Sequence, residues 1–310
     1  MQMLAVNFHY IRNEKPKEGI YPRSVNEFKY QIAELARHYE FLSLSELQKM
    51  ISDGGKSKGN YCVITFDDNL KEQMCIFDYL ENNAIPAIFF STTLPYLNTS
   101  VHDVHKTHHI YTQHTDENLA SYLDKKHGFY NVSFTEEQTN NAYSYDNELK
   151  KKIKLFLNFM LPDDEKKLLI DELFSESVGS LDEFIKDFYL SKDDLRMLAA
   201  KGMLGTHTHT HYPLATLTEE KINTEIITSI KYLEELTSMK IKAISYPYGR
   251  HGAVNEKVAS ISGNLGLDVG FTMNRGLNTA ADMRKALMLK RVDTNDAPGG
   301  KLNSLEYLPD

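Results

Sequence analysis

The stretch YCVITFDD, Tyr61 to Asp68, decides how this chain is read. An apolar and β-branched run this long suits a strand buried on both faces, as in a parallel sheet, and it stops at two adjacent carboxylates. Downstream, LKEQMCIFDYLENN (70–83) reads as a helix, and after Pro86 the run AIFFS (87–91) reads as a second buried strand. Strand, helix and strand within about 30 residues make a βαβ unit, which implies parallel strands and a right-handed crossover.

The same rhythm extends in both directions. Upstream, MLAVNFH (3–9) reads as a strand ending at His9, and SVNEFKYQIAELARHY (24–39) carries Phe28, Ile32, Leu35, Ala36 and Tyr39 at helical spacing. Ser24 and Glu27 stand at capping-box spacing in front of that helix. SLSELQKMI (43–51) is a second helix, stopped by the turn DGGKSKGN. Farther on come a helix over 190–202 with Ser191 as N-cap and Gly202 as its stop, MLGTHTHTH (203–211), and the helix TEEKINTEIITSIKYLEELTS (218–238). The strand KAISYPYG (242–249), the helix VNEKVASISGNLG (254–266), the strand DVGFTMN (268–274) and a final strand ALMLKRVD (286–293) complete the series. Serial strand–helix pairs specify an α/β fold.

Residues 95–189 break the rhythm. They hold a His-rich stretch, VHDVHKTHHIYTQH (101–114), a polar loop around 131–147, and helical patterns in KKKIKLFLNFM, DDEKKLLIDELF and SLDEFIKDFY. The expected organisation is therefore a first α/β part at 1–94, a mostly helical, His-rich insertion at 95–189, and a second α/β part at 190–310. Lysine runs in the insertion read as solvated helix faces.

With 310 residues, 41% hydrophobic and 25% charged, the chain is neither disordered nor collagen-like. A formal charge of −8 argues against bulk electrostatic capture of nucleic acid or of an anionic membrane. The start, MQMLAVNFHY, lacks the marks of a secretory leader, and no apolar stretch reaches the roughly 18–20 residues that cross a bilayer. The expectation is a cytoplasmic protein. Cys62 and Cys75 form no disulfide framework and read as small buried apolar residues.

Sites in parallel α/β sheets form at the C-terminal ends of strands, and three strand ends here carry polar chemistry. In Thr65-Phe66-Asp67-Asp68, paired acids can divide labour, one holding a cation and the other accepting a proton. In Gly205-Thr206-His207-Thr208-His209-Thr210-His211, three alternating histidines suit a first-row metal. If the segment stays extended, His207 and His209 share a face; if it turns, His207 and His211 converge. In Tyr246-Pro247-Tyr248-Gly249, a rigid turn can aim an amide N–H into a pocket, as an oxyanion hole needs.

TFDD, then H-T-x-x-H, then PYG, each at a strand end, resembles the polysaccharide deacetylase family with the NodB-homology domain (carbohydrate esterase family 4). FHYIR, the SLSEL helix and the IPAIFF strand are also similar to that family. The resemblance spans about residues 1–94 and 190–295. It implies a distorted (β/α) barrel and metal-dependent hydrolytic removal of an N-acetyl group from a sugar. It assigns the catalytic base to Asp67, a divalent metal to Asp68, His207 and His211, and the oxyanion-hole amide to Tyr248. Two histidines, one carboxylate and an open position make zinc the expected ion.

The chain departs from the family pattern at several places. Asn69 stands where a Gly usually follows the two acids. Ser245 stands where an Arg usually orients the catalytic Asp, leaving Arg250, Arg275 or Arg291 as substitutes. There is no Trp. The late Leu-x-His motif that carries the general acid reads Leu289-Lys290-Arg291. Candidates for a substrate contact or the general acid are His9, His105, His109 and Arg291; the insertion could fold over the site as a lid.

The function expected is N-deacetylation of an N-acetylated sugar, as an intracellular precursor for surface polysaccharide. Partners are that sugar substrate, with no nucleic acid and no membrane span; nothing in the sequence specifies an oligomer. The alternatives are a non-catalytic glycan-binding member, or another metal-dependent hydrolase of amidohydrolase or phosphoesterase type, with two metals and His207 plus His209 as ligands.

Overall fold

The computed structural model describes residues 1–14, 16, 20–135, 146–302 and 304–308. Most of the polar loop expected at 131–147 lies outside the described residues. The chain divides into two compact units. One is built from Met1–Glu14, Pro22–Ser100 and Asp182–Asp310, the other from Lys15–Tyr21 and Val101–Leu181.

The first unit is an α/β barrel-like sheet with surrounding helices. Its strands are β1 (Gln2–Phe8), β2 (Glu40–Phe41), β3 (Asn60–Phe66), β4 (Ala87–Ser91), β5 (Leu204–Thr206), β6 (Ala243–Ser245), β7 (Val269–Phe271), β8 (Asn278–Thr279) and β9 (Val292–Asp293). They run in the order β7-β6-β5-β4-β3-β1-β8, with β2 on β3 and β9 on β1. The pairs from β1 to β7 are parallel, and β8 is antiparallel to β1.

Alternation along β1 and β3 sorts side chains between two cores, because successive strand residues point to opposite faces. Leu4, Val6, Phe8, Cys62, Ile64 and Phe66 pack outward in one cluster with helix residues such as Phe28, Ile32 and Leu198. Met3, Ala5 and Val63 belong to a second cluster with Ile88, Phe90, Phe271 and Leu289. Phe66 stacks on Phe89 with centroids 4.5 Å apart. Full burial of such a side chain contributes about 1.5–3 kcal/mol. The face of Met3, Ala5 and Val63 continues to Asn7, Thr65 and Asp67, and the register pairs Asn7 with Thr65. That alternation is what points polar groups into the barrel mouth.

The capping box of Ser24 with Glu27 forms as the sequence implies, and Ser191 is the expected N-cap, in a box with Asp194; Ser43 with Glu46 makes a third box. Three local expectations need correction. Residues 71–76 begin as a 3₁₀ turn, and the α-helix covers only Phe77–Asn82. The segment 286–293 is not one strand. Asp282–Met288 is 3₁₀ with a break at Lys285, and only Val292–Asp293 pairs as strand. Its apolar pattern is real, but the segment bridges two edges of the sheet. Leu289 bonds Gly270 and Thr272, and Arg291 N–H donates to Asn274, while Val292–Asp293 pair with Val6–Asn7. Cys62 is buried, whereas Cys75 is exposed.

The second unit is helical: Asp103–Gln113, Asp116–His127, Glu148–Leu155, and Asp163–Ser177, with a π-helical turn over Phe156–Met160. Leu119, Leu123, Phe129, Ile153, Leu169 and Phe174 are buried. Among the described residues, no helix is long and apolar enough to cross a membrane.

Candidate active site

The end of β3 carries the acids. Asp67 and Asp68 are 3% and 5% exposed, too little for water alone to solvate two charges, so the protein must supply partners. Asp67 keeps strand direction, its N–H donating to the Phe8 carbonyl at 3.1 Å. The backbone then turns left-handed, with φ of 75° at Asp68 and 44° at Asn69. This reversal sends the two carboxylates in different directions. A left-handed position costs most side chains about 1–2 kcal/mol and Asn less, because its short amide bonds locally. Asn69 does so here. Its Oδ1 accepts from the Thr92 N–H and hydroxyl, both at 2.9 Å, and its Nδ2 donates to Tyr96 Oη at 2.9 Å. An Asn where a Gly was expected is thus accommodated by its own contacts.

Asp67 sits in a cage. Arg291 Nη1 donates to Oδ1 at 3.0 Å and Nη2 to Oδ2 at 2.8 Å, a bidentate fork, while Asn7 Nδ2 donates to Oδ2 at 2.9 Å. The guanidinium also donates to Ser245 Oγ (2.7 Å), Asn7 Oδ1 (3.0 Å), Thr65 Oγ1 (3.2 Å) and the Thr272 carbonyl (3.2 Å). Burial pushes the Asp67 carboxyl up, but Arg291, His207 and His9 outweigh it and hold it down at about 2. Arg291 was expected as a substrate contact or proton donor, or as a stand-in for the missing Arg. It is fully buried, with its donors committed to these acceptors. The hydroxyl of Ser245, small where a large cation was expected, leaves room for a guanidinium arriving from another segment.

The histidine segment turns. Thr208 and His211 have φ of 66° and 62°, and His207 and His211 converge with ring centroids 4.9 Å apart. Their Nε2 atoms lie 3.4 and 3.3 Å from Asp68 Oδ1. His207 Nδ1 is 2.6 Å from the Ser245 carbonyl. A carbonyl only accepts, so Nδ1 carries a proton, and Nε2 is the ring atom turned toward Asp68. Burial disfavours charge on His207, but Asp67 and Asp68 outweigh it and raise its pKa.

This donor set fits a divalent cation. One atom each from Asp68, His207 and His211 lies within 4.8 Å of the others, the only such group among the described residues. Tetrahedral ligands at about 2.0–2.1 Å from an ion are roughly 3.3–3.4 Å apart, which matches the 3.4 and 3.3 Å between the imidazoles and Asp68. His209 does not join. Its Nδ1 lies 2.9 Å from Thr93 Oγ1, and its carbonyl accepts the Leu94 N–H. The pairing of His207 with His209 that a two-metal hydrolase would use is therefore not formed.

The third strand end is a strained turn, with φ of 61° at Tyr248 and 56° at Gly249. A Cβ at Gly249 would fall 2.7 Å from the Met273 nitrogen, so only glycine fits. The Tyr248 ring is half-exposed and meets His211 edge-on at 5.0 Å. His9, just past β1, places Nε2 4.0 Å from Asp68 Oδ2 with its side chain 34% exposed.

His105 and His109 belong to the helical unit. His105 is fully buried on the helix Asp103–Gln113, its ring edge-on to His102 at 5.4 Å, and His109 packs edge-on against Phe174 at 5.6 Å.

No motif marks Asn7 or Gln73, which the fold brings to the site. Gln73 Nε2 straps the Asp67 and His9 carbonyls at 2.7 and 3.1 Å. Asn7 left one signal, a lone amide inside the apolar run MLAVNFH at the strand end.

A family model described as polysaccharide deacetylase matches residues 54–270. No curated protein matches the sequence. Solved structures do. The Streptococcus pyogenes deacetylase PplD, in complex with acetate, matches at a TM-score of 0.61 and 16% identity, over 100% of this chain and 99% of that one. IcaB from Ammonifex degensii matches at 0.55 and 16%, over 94% and 91%. The de-N-acetylase from Aggregatibacter actinomycetemcomitans matches at 0.55 and 14%, over 94% of each. At these identities the likeness is one of fold.

Proposed function

The chain belongs to the polysaccharide deacetylase family, and from that premise we propose that it hydrolyses the N-acetyl group of an amino sugar, with a divalent metal held by Asp68, His207 and His211. The observation that carries this reading is the division of the two adjacent acids. Asp68 lies with the imidazoles, while Asp67 is gripped apart from them by Arg291 and Asn7.

Zinc is the ion assigned to this Asp-His-His set. When bound there it supplies acidified water and a polarised amide carbonyl. Asp67 is the base. The arginine fork keeps it a carboxylate and fixes its orientation, so it accepts the proton of the attacking water. The Tyr248 N–H is assigned to the oxyanion that forms as the carbonyl carbon becomes tetrahedral. His9 is assigned to protonate the departing amine, because it lies beside Asp68 and is partly exposed, whereas Arg291 is sealed off. The products are acetate and a free amino sugar.

The test is acetate release from a panel of N-acetylated sugars: free, nucleotide-linked, lipid-linked and polymeric. Release from one class, abolished by chelator and restored by zinc, is expected. Release that survives exhaustive chelation overturns the metal assignment, and no release from any class overturns the reaction.

A further inference from the structure

We propose that Glu225 is a positioning residue for the metal site. From the helix Glu219–Thr237 it clasps the turn between His207 and His211 and so makes the two imidazoles converge. This rests on the reading of Asp68, His207 and His211 as ligands.

The turn has an unusual burden. It must reverse within five residues, and it does so with left-handed backbone at Thr208 and at His211 itself. An extended course would instead put His207 and His209 on one face. Something outside the turn must select the reversed form, and the contacts identify it. Glu225 Oε2 accepts the N–H groups of His209 (3.2 Å) and Thr210 (2.8 Å), and Oε1 accepts the Thr210 hydroxyl (2.5 Å). One carboxylate therefore satisfies two consecutive backbone donors and a side chain midway between the histidines. Hydrogen bonds to an ionised acceptor are roughly twice as strong as neutral ones.

The same helix face acts again one turn later. Ser229 shares a buried hydrogen bond with Thr206 Oγ1, which in turn accepts the Thr208 N–H at 3.1 Å. Glu225 and Ser229 are four residues apart and so lie on one face of the helix. The clasp thus reaches both the strand end before His207 and the crest before His211. On the opposite side Thr93 and Leu94 hold His209, which keeps the middle imidazole away from the ligand group.

The test uses the full chain and Co2+ as probe, read by visible absorption, so that metal geometry is observed without turnover. In Glu225→Ala, Co2+ binding should weaken at least tenfold and the absorption band should shift, while the thermal midpoint measured in chelator stays near the wild-type value. Glu225→Gln keeps the shape but loses the charge and one acceptor oxygen, and should weaken binding about threefold. Wild-type affinity and spectrum in Glu225→Ala overturn the clasp; if that variant does not fold, wild-type behaviour of Glu225→Gln does. Loss of Co2+ in His211→Ala separates the two readings. If wild type itself takes up no Co2+, the metal reading falls and takes the clasp with it. If wild type binds and His211→Ala does not, an unaffected Glu225→Ala removes the clasp alone.

Discussion

Each unit of this protein buries an acid against a base, and the two solutions differ. In the barrel unit Asp67 meets Arg291. In the helical unit Asp116 meets Lys150, both nearly fully buried, with Asn147 Nδ2 on the same carboxylate at 2.7 Å and the lysine nitrogen 4.7 Å above the Tyr111 ring. Lys154 with Asp146 repeats that pattern in the helical unit. In each of those contacts one lysine faces one acid. The trio Asp67, Asp68 and Arg291 instead carries one carboxylate more than it has guanidinium, and the second acid lies against the imidazoles of His9, His207 and His211. A buried charge pair is thus no sign of a site by itself. An excess acid among imidazoles, inside a mouth built from strand ends, is the arrangement that asks for a cation.

The strongest test of that contrast is Asp67→Asn. Turnover should fall by about 10²–10⁴-fold, the usual worth of a positioned acid–base group, while Zn2+ still binds, measured by calorimetry. Loss of metal in this variant would mean that the two acids do not divide the work.

Next are the two pairs themselves. Arg291→Met and Lys150→Met each leave a buried carboxylate without its base, so each should cost about 3–5 kcal/mol in urea unfolding. Only Arg291→Met should also cut kcat of the folded fraction strongly, because its acid is the one assigned to catalysis. Equal kcat losses would erase the distinction between the regions.

Metal removal comes third. With zinc at about 100 times its Kd, binding adds about 2.7 kcal/mol of stability. Chelation should lower the thermal midpoint of wild type, and His211→Ala should show no such chelator effect.

The smallest effect concerns the helical unit. Burial lowers the His109 pKa from 6.5, partly opposed by a hydrogen bond to Ser177. The unfolded chain then takes up the proton first as pH falls. Stability is present above pH 6.5 and declines below it. Hydrogen-exchange protection of the helix Asp103–Gln113 should drop below that pH in wild type and hold steadier in His109→Gln. A steeper drop in the variant would reverse the sign.

Much of the barrel was legible because local physics repeats along it. Apolar runs such as YCVITF and AIFFS need both faces buried, and caps such as Ser24 with Glu27 satisfy helix ends whatever lies around them. The segment 286–293 was misread because its apolar residues bridge two sheet edges, and no periodicity in the chain marks a bridge. Residues 70–83 were read as one helix because the 3₁₀ start, strapped by Gln73 to Asp67 and His9, looks helical in composition.

The sequence by itself determined which strand ends carry acids, histidines and the tight Pro-Tyr-Gly turn, because backbone direction and residue type are local properties. The H-T-x-x-H resemblance pointed to His207 with His211, but the turn that makes their rings converge depends on tertiary contacts. Tertiary structure alone brought Arg291 beside Asp67 from 224 residues away, and made Asn7 part of the same cage. Those choices depend on which segments lie side by side in space, and spacing along the chain does not encode that adjacency.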